Sequence, residues 1–509
     1  MSSSVSFHDR YLEFLDQYKR IAALRQIGGI LSWDQETMMP AKGAPARAEQ
    51  MGALEYVVHG LETSPAYAET VNQLIEQAEG QNAPPDIRRS LDLAKRSLER
   101  ANKVPAHLAA ALAKETAQGQ VTWAKARAAK RFEDFAPTLK RIIALKREEA
   151  DALRQPDQRR YDILLNDFEP GMTGATLRPL LESMRGPLTD LRQKIAQAQI
   201  SAPELSAPEL KGRFKHKQQM NLARQVAKAL SYDFEAGRLD LSVHPFSSGT
   251  GGDARITTRV DEKDPMGCLY STIHEIGHAL YEQGLPDDAA MQPIGHHVSM
   301  GIHESQSRLW ENQVGRSRAF CRWLQPCASK AFGDFGVKDA DALYQAVNRV
   351  KTDYIRTEAD EVHYNLHVLL RYELEEDLIE GKLEVDDLET AWNQAFLRDF
   401  GLAVPDPSQG VLQDVHWSCG LFGYFPTYSL GNIYSAQLFK RMKQDLPNLD
   451  DGLSRGDCKA ALGWLRERVH QKGRRRDAPE LMQDAVGESV STQPMLDYLS
   501  AKYAELYRL

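Results

Sequence analysis

His274 and His278 stand four positions apart with Glu275 between them, in the stretch "YSTIHEIGHALYEQG" from Tyr270 to Gly284. On a helix this spacing projects both imidazoles from one face, a turn apart, so both can reach one metal ion. Glu275 then lies beside them on the rim, where a carboxylate can take a proton from water that the metal activates. The chemistry would be metal-assisted hydrolysis of a peptide bond. The plainer reading is a helix with two core or surface histidines. Against it, Ile273, Ile276 and Leu280 form a separate apolar stripe that serves packing without them.

A catalytic zinc takes three protein ligands and keeps a fourth position open. A third histidine six residues after His278 is excluded, because position 284 is Gly and position 281 is Tyr. The ligand must come from another segment. "SMGIHESQSRLWENQVG" offers Glu304 on a second helix, with Ser307, Arg308 and Glu311 on the same polar face. Solvent exposure would explain that face equally well. His296, His297 and His303 are alternative ligands that spacing alone does not remove.

The elements that must position these residues are mostly helical. Segments Tyr11–Glu36, Arg88–Val104, Ala110–Lys130, Phe135–Arg154 and Leu177–Ala198 carry apolar residues at three- and four-residue spacing with charges between. Asp264 can cap the helix that bears the histidines, Pro265 falls at its first position, and Gly284 can close it. From Leu239 the texture changes to "DLSVHPFSSGTGGDARITTRV", with Gly clusters and β-branched alternation, which predicts a small hairpin-like antiparallel sheet. The tandem "SAPELSAPEL" (Ser201–Leu210) is a Pro-marked connector, too short to be a repeat architecture. No linker separates autonomous domains, so residues 1–509 are expected to form one large catalytic body.

The 509 residues carry a net charge of −8, spread along the chain, which argues against a nucleic-acid partner. The concentrated basic run at Arg474–Arg476 reads as a solvated loop. Five scattered cysteines contain no Cys-x-x-Cys pair, so a thiolate metal knuckle is not supported and a reducing compartment fits. The start lacks an apolar signal core and no run approaches a membrane span, so a soluble, cytoplasmic protein is expected.

Taken in order, the chain's motifs resemble those of the carboxypeptidase Taq family of zinc carboxypeptidases. They are "HPF" (His244–Phe246), "DARIT" (Asp253–Thr257), "HEIGH" (His274–His278), "HESQ" (His303–Gln306), "IRTEAD" (Ile355–Asp360) and "GVLQDVHW" (Gly410–Trp417). The early "LSWDQETMMPAKGAPAR" and the late "YFPTYSLGN" are similar too, so the likeness covers nearly the whole chain.

The resemblance implies that His274, His278 and Glu304 bind the metal and that Glu275 is the general base. The metal would be zinc, one per subunit, although imidazole and carboxylate also suit cobalt and manganese. It implies a mostly α-helical body split by a deep groove with the small sheet at its rim, similar to neurolysin and angiotensin-converting enzyme, and a homodimer. His416 matches the family's oxyanion donor, joined by Tyr428 or Tyr424; the context of Tyr428 fits better, and either could instead be a core tyrosine. Arg356 would hold the substrate's free C-terminal carboxylate, with Arg255 as a second candidate, since a planar guanidinium forks onto a carboxylate. Without the resemblance, Arg356 would read as a helix-surface partner of Asp360. His244 would line the substrate site, or else stabilise the turn before Pro245.

The expected activity is removal of single residues from the C-termini of peptides with broad specificity. A zinc endo-oligopeptidase of the neurolysin type is the alternative. A peptide-binding scaffold with a structural zinc is the third reading, and Glu275 argues against it because a structural site needs no base. Trp33, Met38 and Met39 pack an N-terminal helix against the body in the simplest view; helices within 1–110 could instead form a lid over the groove.

Overall fold

In the computed structural model, residues 6–80, 82–202, 205 and 207–509 are described. The Ser201–Leu210 connector therefore lies partly outside the described residues. Each of the five amphipathic segments is helical: Phe7–Thr37, Pro85–Lys103, Ala106–Ala129, Ala136–Leu153 and Gly174–Ser201. The last of these runs through Pro179 and Pro187. Among the described residues, no helix is long and apolar enough to cross a membrane.

The apolar faces sort into two main clusters. The first helices bury Tyr11, Phe14, Ile21, Val58, Tyr67, Val71, Leu74, Leu91 and Leu98 against one another. The large cluster begins at Ala126 and includes residues as late as Tyr507. Trp33 is buried, as expected of a packing residue, but Met38 is 52% exposed and contributes no core. The basic run is a correction to the expectation of a solvated loop. Arg475 pairs with Asp86 at 2.9 Å, and the carbonyl of Arg474 accepts from Arg89 Nε at 2.8 Å, so the run ties the N-terminal helices to the main body.

Four helices are buried on nearly every face: the motif helix Pro265–Glu282, the glutamate helix Met300–Arg308, the polar-core helix Glu361–Glu380 and the tyrosine helix Phe425–Asp445. The motif helix starts as predicted, with Asp264 accepting from the amides of Met266 and Gly267. Its end differs. Gln283 closes the helix in a right-handed conformation, and Gly284 is required for space, because a Cβ there would lie 2.4 Å from His470 Nδ1.

The sheet is mixed rather than antiparallel. Strands β1 (Leu239–Leu241), β2 (Ser247–Thr250) and β3 (Asp253–Thr258) lie in the order β1–β3–β2. β2 and β3 form the expected antiparallel hairpin, whereas β1 pairs parallel to β3. The reason is the "HPF" segment, which carries the chain from one edge to the other before the hairpin turns back between them. β3 rests on the motif helix, where Thr258 Oγ1 donates to the carbonyl of Cys268 at 3.1 Å.

Burying a polar group without a partner is costly, and the buried carboxylate of Glu169 is paired on both oxygens. Glu169 accepts from the Gly301 amide and the Tyr434 hydroxyl, both at 3.0 Å. Burial pushes its carboxyl up to about 7. A folded-state value above the ordinary glutamate value means the folded protein holds the proton longer than the unfolded chain, so this group's contribution to stability falls as pH rises toward 7. We expect the Tm difference between wild type and Glu169→Gln to move in the variant's favour between about pH 5 and pH 8. A pH-independent difference in paired thermal melts would contradict this assignment.

Candidate active site

The motif helix meets the glutamate helix at Gly277, where it has no side chain to keep the two apart. A Cβ on Gly277 would lie 2.5 Å from Ser307 Cα, and a Cβ on Gly431 of the tyrosine helix would lie 2.5 Å from Glu304 Cγ. These two close approaches bring His274, His278 and Glu304 together. Glu304 Oε2 lies 3.7 Å from His274 Nε2 and 3.4 Å from His278 Nε2, and one ligand atom of each residue lies within 4.8 Å of the others. Two imidazoles and one carboxylate form the donor set of a catalytic divalent-metal site. The remaining ring nitrogens are already engaged, so both Nε2 atoms are left to face the shared centre.

Glu311 engages His274, with 3.0 Å between Oε2 and Nδ1. It lies on Leu309–Gly315, a π-helical continuation of the glutamate helix. Such bulges recur at functional sites because they re-aim side chains. Burial opposes ionisation of Glu311, but Arg308 and His274 outweigh it and bring the carboxyl down to about 2. Arg308 also donates from Nε to Glu304 Oε1 at 2.7 Å. Burial opposes ionisation of Glu304 as well, yet Arg308, His274 and His278 hold it well below the usual carboxylate range. Its other oxygen accepts from Ser307 Oγ at 3.0 Å. The polar face of Glu304, Ser307, Arg308 and Glu311 is thus a buried network rather than a solvated surface.

Glu275 is only 6% exposed, and burial pushes its carboxyl up to about 7, partly offset by His274. A carboxylate with that proton affinity is suited to accept and return a proton near neutral pH.

The "GVLQDVHW" and "IRTEAD" segments interlock. The Gln413 side chain accepts from the Arg356 amide at 2.9 Å, and Asp414 accepts from Arg356 Nε at 3.0 Å and from Arg371 Nε at 2.6 Å. Arg356 also donates to the Tyr364 hydroxyl at 3.0 Å. Tyr364 lies beneath the Arg308 guanidinium at 4.1 Å, which links this cluster to the Glu304 side. Asp360 does not pair with Arg356; it caps the polar-core helix, accepting from Val362 and His363 amides. His416 Nε2 lies 3.1 Å from the Tyr428 hydroxyl, and burial brings its imidazole down to about 4. Tyr428 is three residues before Gly431 and so shares the helix face that meets Glu304. Tyr424 precedes that helix, its ring 5.4 Å from Tyr428.

A family model, Carboxypeptidase Taq (M32) metallopeptidase, matches residues 13–503. The chain belongs to the carboxypeptidase Taq family. It is 40% identical to thermostable carboxypeptidase 1 of Thermus thermophilus, covering 98% of this chain and 99% of the relative. It is 34% identical to carboxypeptidase 1 of Bacillus subtilis over 99% and 100% of the two chains. Among solved structures, Trypanosoma cruzi metallocarboxypeptidase 1 superposes with a TM-score of 0.95 at 34% identity, over 98% of this chain and 100% of the other. An M32 carboxypeptidase from Deinococcus radiodurans gives 0.93 at 36% identity over the same shares. The protein is therefore a metallocarboxypeptidase, and the endo-oligopeptidase alternative is not favoured.

Two residues named from the family motifs make their own contacts elsewhere. Arg255 forks onto Asp253 at 2.7 and 2.8 Å and covers the Trp33 ring at 4.4 Å. His244 is exposed, and its carbonyl accepts from Ser242 Oγ at 2.6 Å. The described hydrogen bonds and ion pairs do not join either residue to His274, His278 or Glu304. His303, which spacing had left as an alternative ligand, instead faces His278 through Nδ1 at 2.6 Å, and His297 faces Glu282 at 3.0 Å. The orienting roles of Glu311 and Asp414 were not read from sequence. For Glu311 the signal was present, since it shares the polar face of Glu304.

Gly431→Ala should be more harmful than an ordinary helix Gly→Ala change. Its methyl group would displace Glu304, so a stability loss of about 1–3 kcal/mol from overpacking is expected, together with weaker metal binding. Chemical denaturation and a chelator competition on the same variant would check both.

Proposed function

We propose that this metallocarboxypeptidase removes single residues from the free C-termini of peptides, with zinc as its metal and Glu275 as general base. The observation that carries this reading is the convergence of two imidazoles and one carboxylate beside a buried glutamate. A divalent metal held by His274, His278 and Glu304 would supply a Lewis acid that polarises the scissile carbonyl and makes water acidic enough to attack it. Zinc suits this donor set, and cobalt or manganese are outcomes that metal analysis would distinguish.

Glu275 takes the proton of the attacking water and returns it to the departing amine. His416, donating from Nε2 to the Tyr428 hydroxyl, leaves the Tyr428 O–H free to donate to the oxyanion, and this contact favours Tyr428 over Tyr424. Arg356 holds the terminal carboxylate. Asp414 and Tyr364 fix its plane and leave one N–H on each terminal nitrogen for a substrate. Arg255 and His244 serve more remote parts of the peptide. We further propose a groove like that of neurolysin and angiotensin-converting enzyme, covered in part by the helices within residues 1–110, and a homodimeric assembly that light scattering would test.

The deciding assay is release of free amino acid from an N-blocked dipeptide, compared with the same peptide carrying a C-terminal amide. Release from the free acid alone, abolished by chelation and restored by zinc, is expected. Equal cleavage of the amide, or internal cuts in longer peptides, would point to the endo-oligopeptidase.

A further inference from the structure

Glu282, His297 and His303 form a second convergent group, with ligand atoms within 4.8 Å of one another. Glu282 continues the face of His274 and His278 by one more turn of the motif helix. Its Oε1 lies 2.9 Å from His303 Nε2 and 3.0 Å from His297 Nδ1. His303 Nδ1 in turn lies 2.6 Å from His278 Nδ1. Glu282 and His303 are both largely buried, with side chains 8% and 12% exposed.

Counting protons decides how this group is used. His278 must present a bare Nε2 to the metal, so a neutral ring carries its proton on Nδ1. That proton points at His303 Nδ1, which must be bare to accept it. The proton of His303 then sits on Nε2 and is donated to Glu282. Every ring nitrogen has one role, and the chain ends on a carboxylate. A second metal at Glu282, His297 and His303 would need a bare Nε2 on His303 as well. The two neutral rings would then each carry a proton on Nδ1, two N–H groups facing each other at 2.6 Å, so filling the second site works against filling the first.

We propose that His303 and Glu282 are positioning residues for the metal centre, forming a relay, Glu282 to His303 to His278, that fixes the tautomer of His278 and strengthens it as a ligand. The inference rests on the reading of His274, His278 and Glu304 as the metal ligands. It extends the familiar carboxylate–histidine pair, which His274 and Glu311 form directly, by inserting a second imidazole. The two imidazole ligands are thus supported unequally, one by a carboxylate in contact and one at a distance.

The test is titration of the metal-free protein with cobalt(II) and with zinc against a competing chelator, with the visible spectrum of the cobalt form recorded. Glu282→Gln keeps the shape and removes the charge; His303→Leu removes the acceptor; His303→Asn restores an amide oxygen near the place of Nδ1. We expect Glu282→Gln and His303→Leu to weaken binding by about 10- to 100-fold and to shift the cobalt spectrum, with His303→Asn recovering part of the loss. A merely structural role would lower the melting temperature of the metal-free variants without that ordering or the spectral shift. Affinity within twofold of wild type and an unchanged spectrum in both Glu282→Gln and His303→Leu would overturn the relay. So would a second tight equivalent of metal in the wild type that His297→Ala removes. His278→Ala separates the two levels of the argument: wild-type affinity in that variant would sink the metal-centre reading itself, whereas its loss beside normal Glu282 and His303 variants would sink only the relay.

Discussion

Glu275→Gln will retain its metal and fold while losing about 10²–10⁴-fold in kcat, the range general-base catalysis contributes. The substitution is nearly isosteric, and Glu275 makes no hydrogen bond or ion pair among the described contacts that an amide would break. Its neighbour His274 is held separately by Glu311 at 3.0 Å, so the ligand geometry should survive. Stability should not fall and could rise, because the glutamine places no charge in a buried position. The measurement is kcat and KM on an N-blocked dipeptide, with metal content and a thermal melt on the same sample. A variant with near-normal kcat and full metal content would remove Glu275 from the mechanism and require another base.

The second large effect is expected at Asp414. This carboxylate lies between two buried guanidinium groups, 2.9 Å from Arg356 Nη2 and 2.6 Å from Arg371 Nη2. Burial opposes its ionisation, but Arg371 and Arg356 hold it far below the ordinary aspartate range. Burial also brings the Arg371 guanidinium down to about 10. Asp414→Ala leaves two buried cations facing each other with no counter-charge, and breaking such a buried pair costs about 3–5 kcal/mol. Urea denaturation should show a lower midpoint with an unchanged slope. Because the folded carboxyl is depressed, the stability it contributes is present above the ordinary aspartate value and fades as pH falls below it. The wild type should therefore lose its advantage over Asp414→Ala only in acid. A functional effect should accompany the loss: Arg356 is oriented by Asp414, so KM for free-acid substrates should rise more than kcat falls. A midpoint within error of wild type at neutral pH would mean that the arginines are solvated and the cluster is not the buried network described.

The histidine motif was legible because its information is local. Four-residue spacing on a capped helix puts His274 and His278 on one face whatever surrounds them, and Glu275 follows from adjacency. The five amphipathic helices were legible for the same reason, since their periodicity belongs to the segment itself. The β2–β3 hairpin could be read from its glycines, but the parallel partner β1 could not. Strand direction depends on where the "HPF" segment carries the chain, and no local period records that.

Site geometry beyond the motif needed the tertiary structure. Glu304 was named from a polar helix face and from family likeness; spacing did not distinguish it from His296, His297 or His303. What separates them is the approach of three helices at Gly277 and Gly431, where the lack of a Cβ lets Glu304 meet both Nε2 atoms. His303 looked like a ligand in the sequence because residue type does not reveal which neighbour a ring nitrogen faces. Arg356 looked like a partner for Asp360 because those two are close in sequence. The fold instead gives it Asp414, 58 residues away. The candidate reacting groups, the helices that carry them and the family the chain belongs to were thus readable from the sequence alone, all from local spacing and ordered motifs. Which buried charges pair, which neighbour each ring nitrogen faces and which glycines the site requires came only with the tertiary structure, because those follow from close packing between segments distant along the chain.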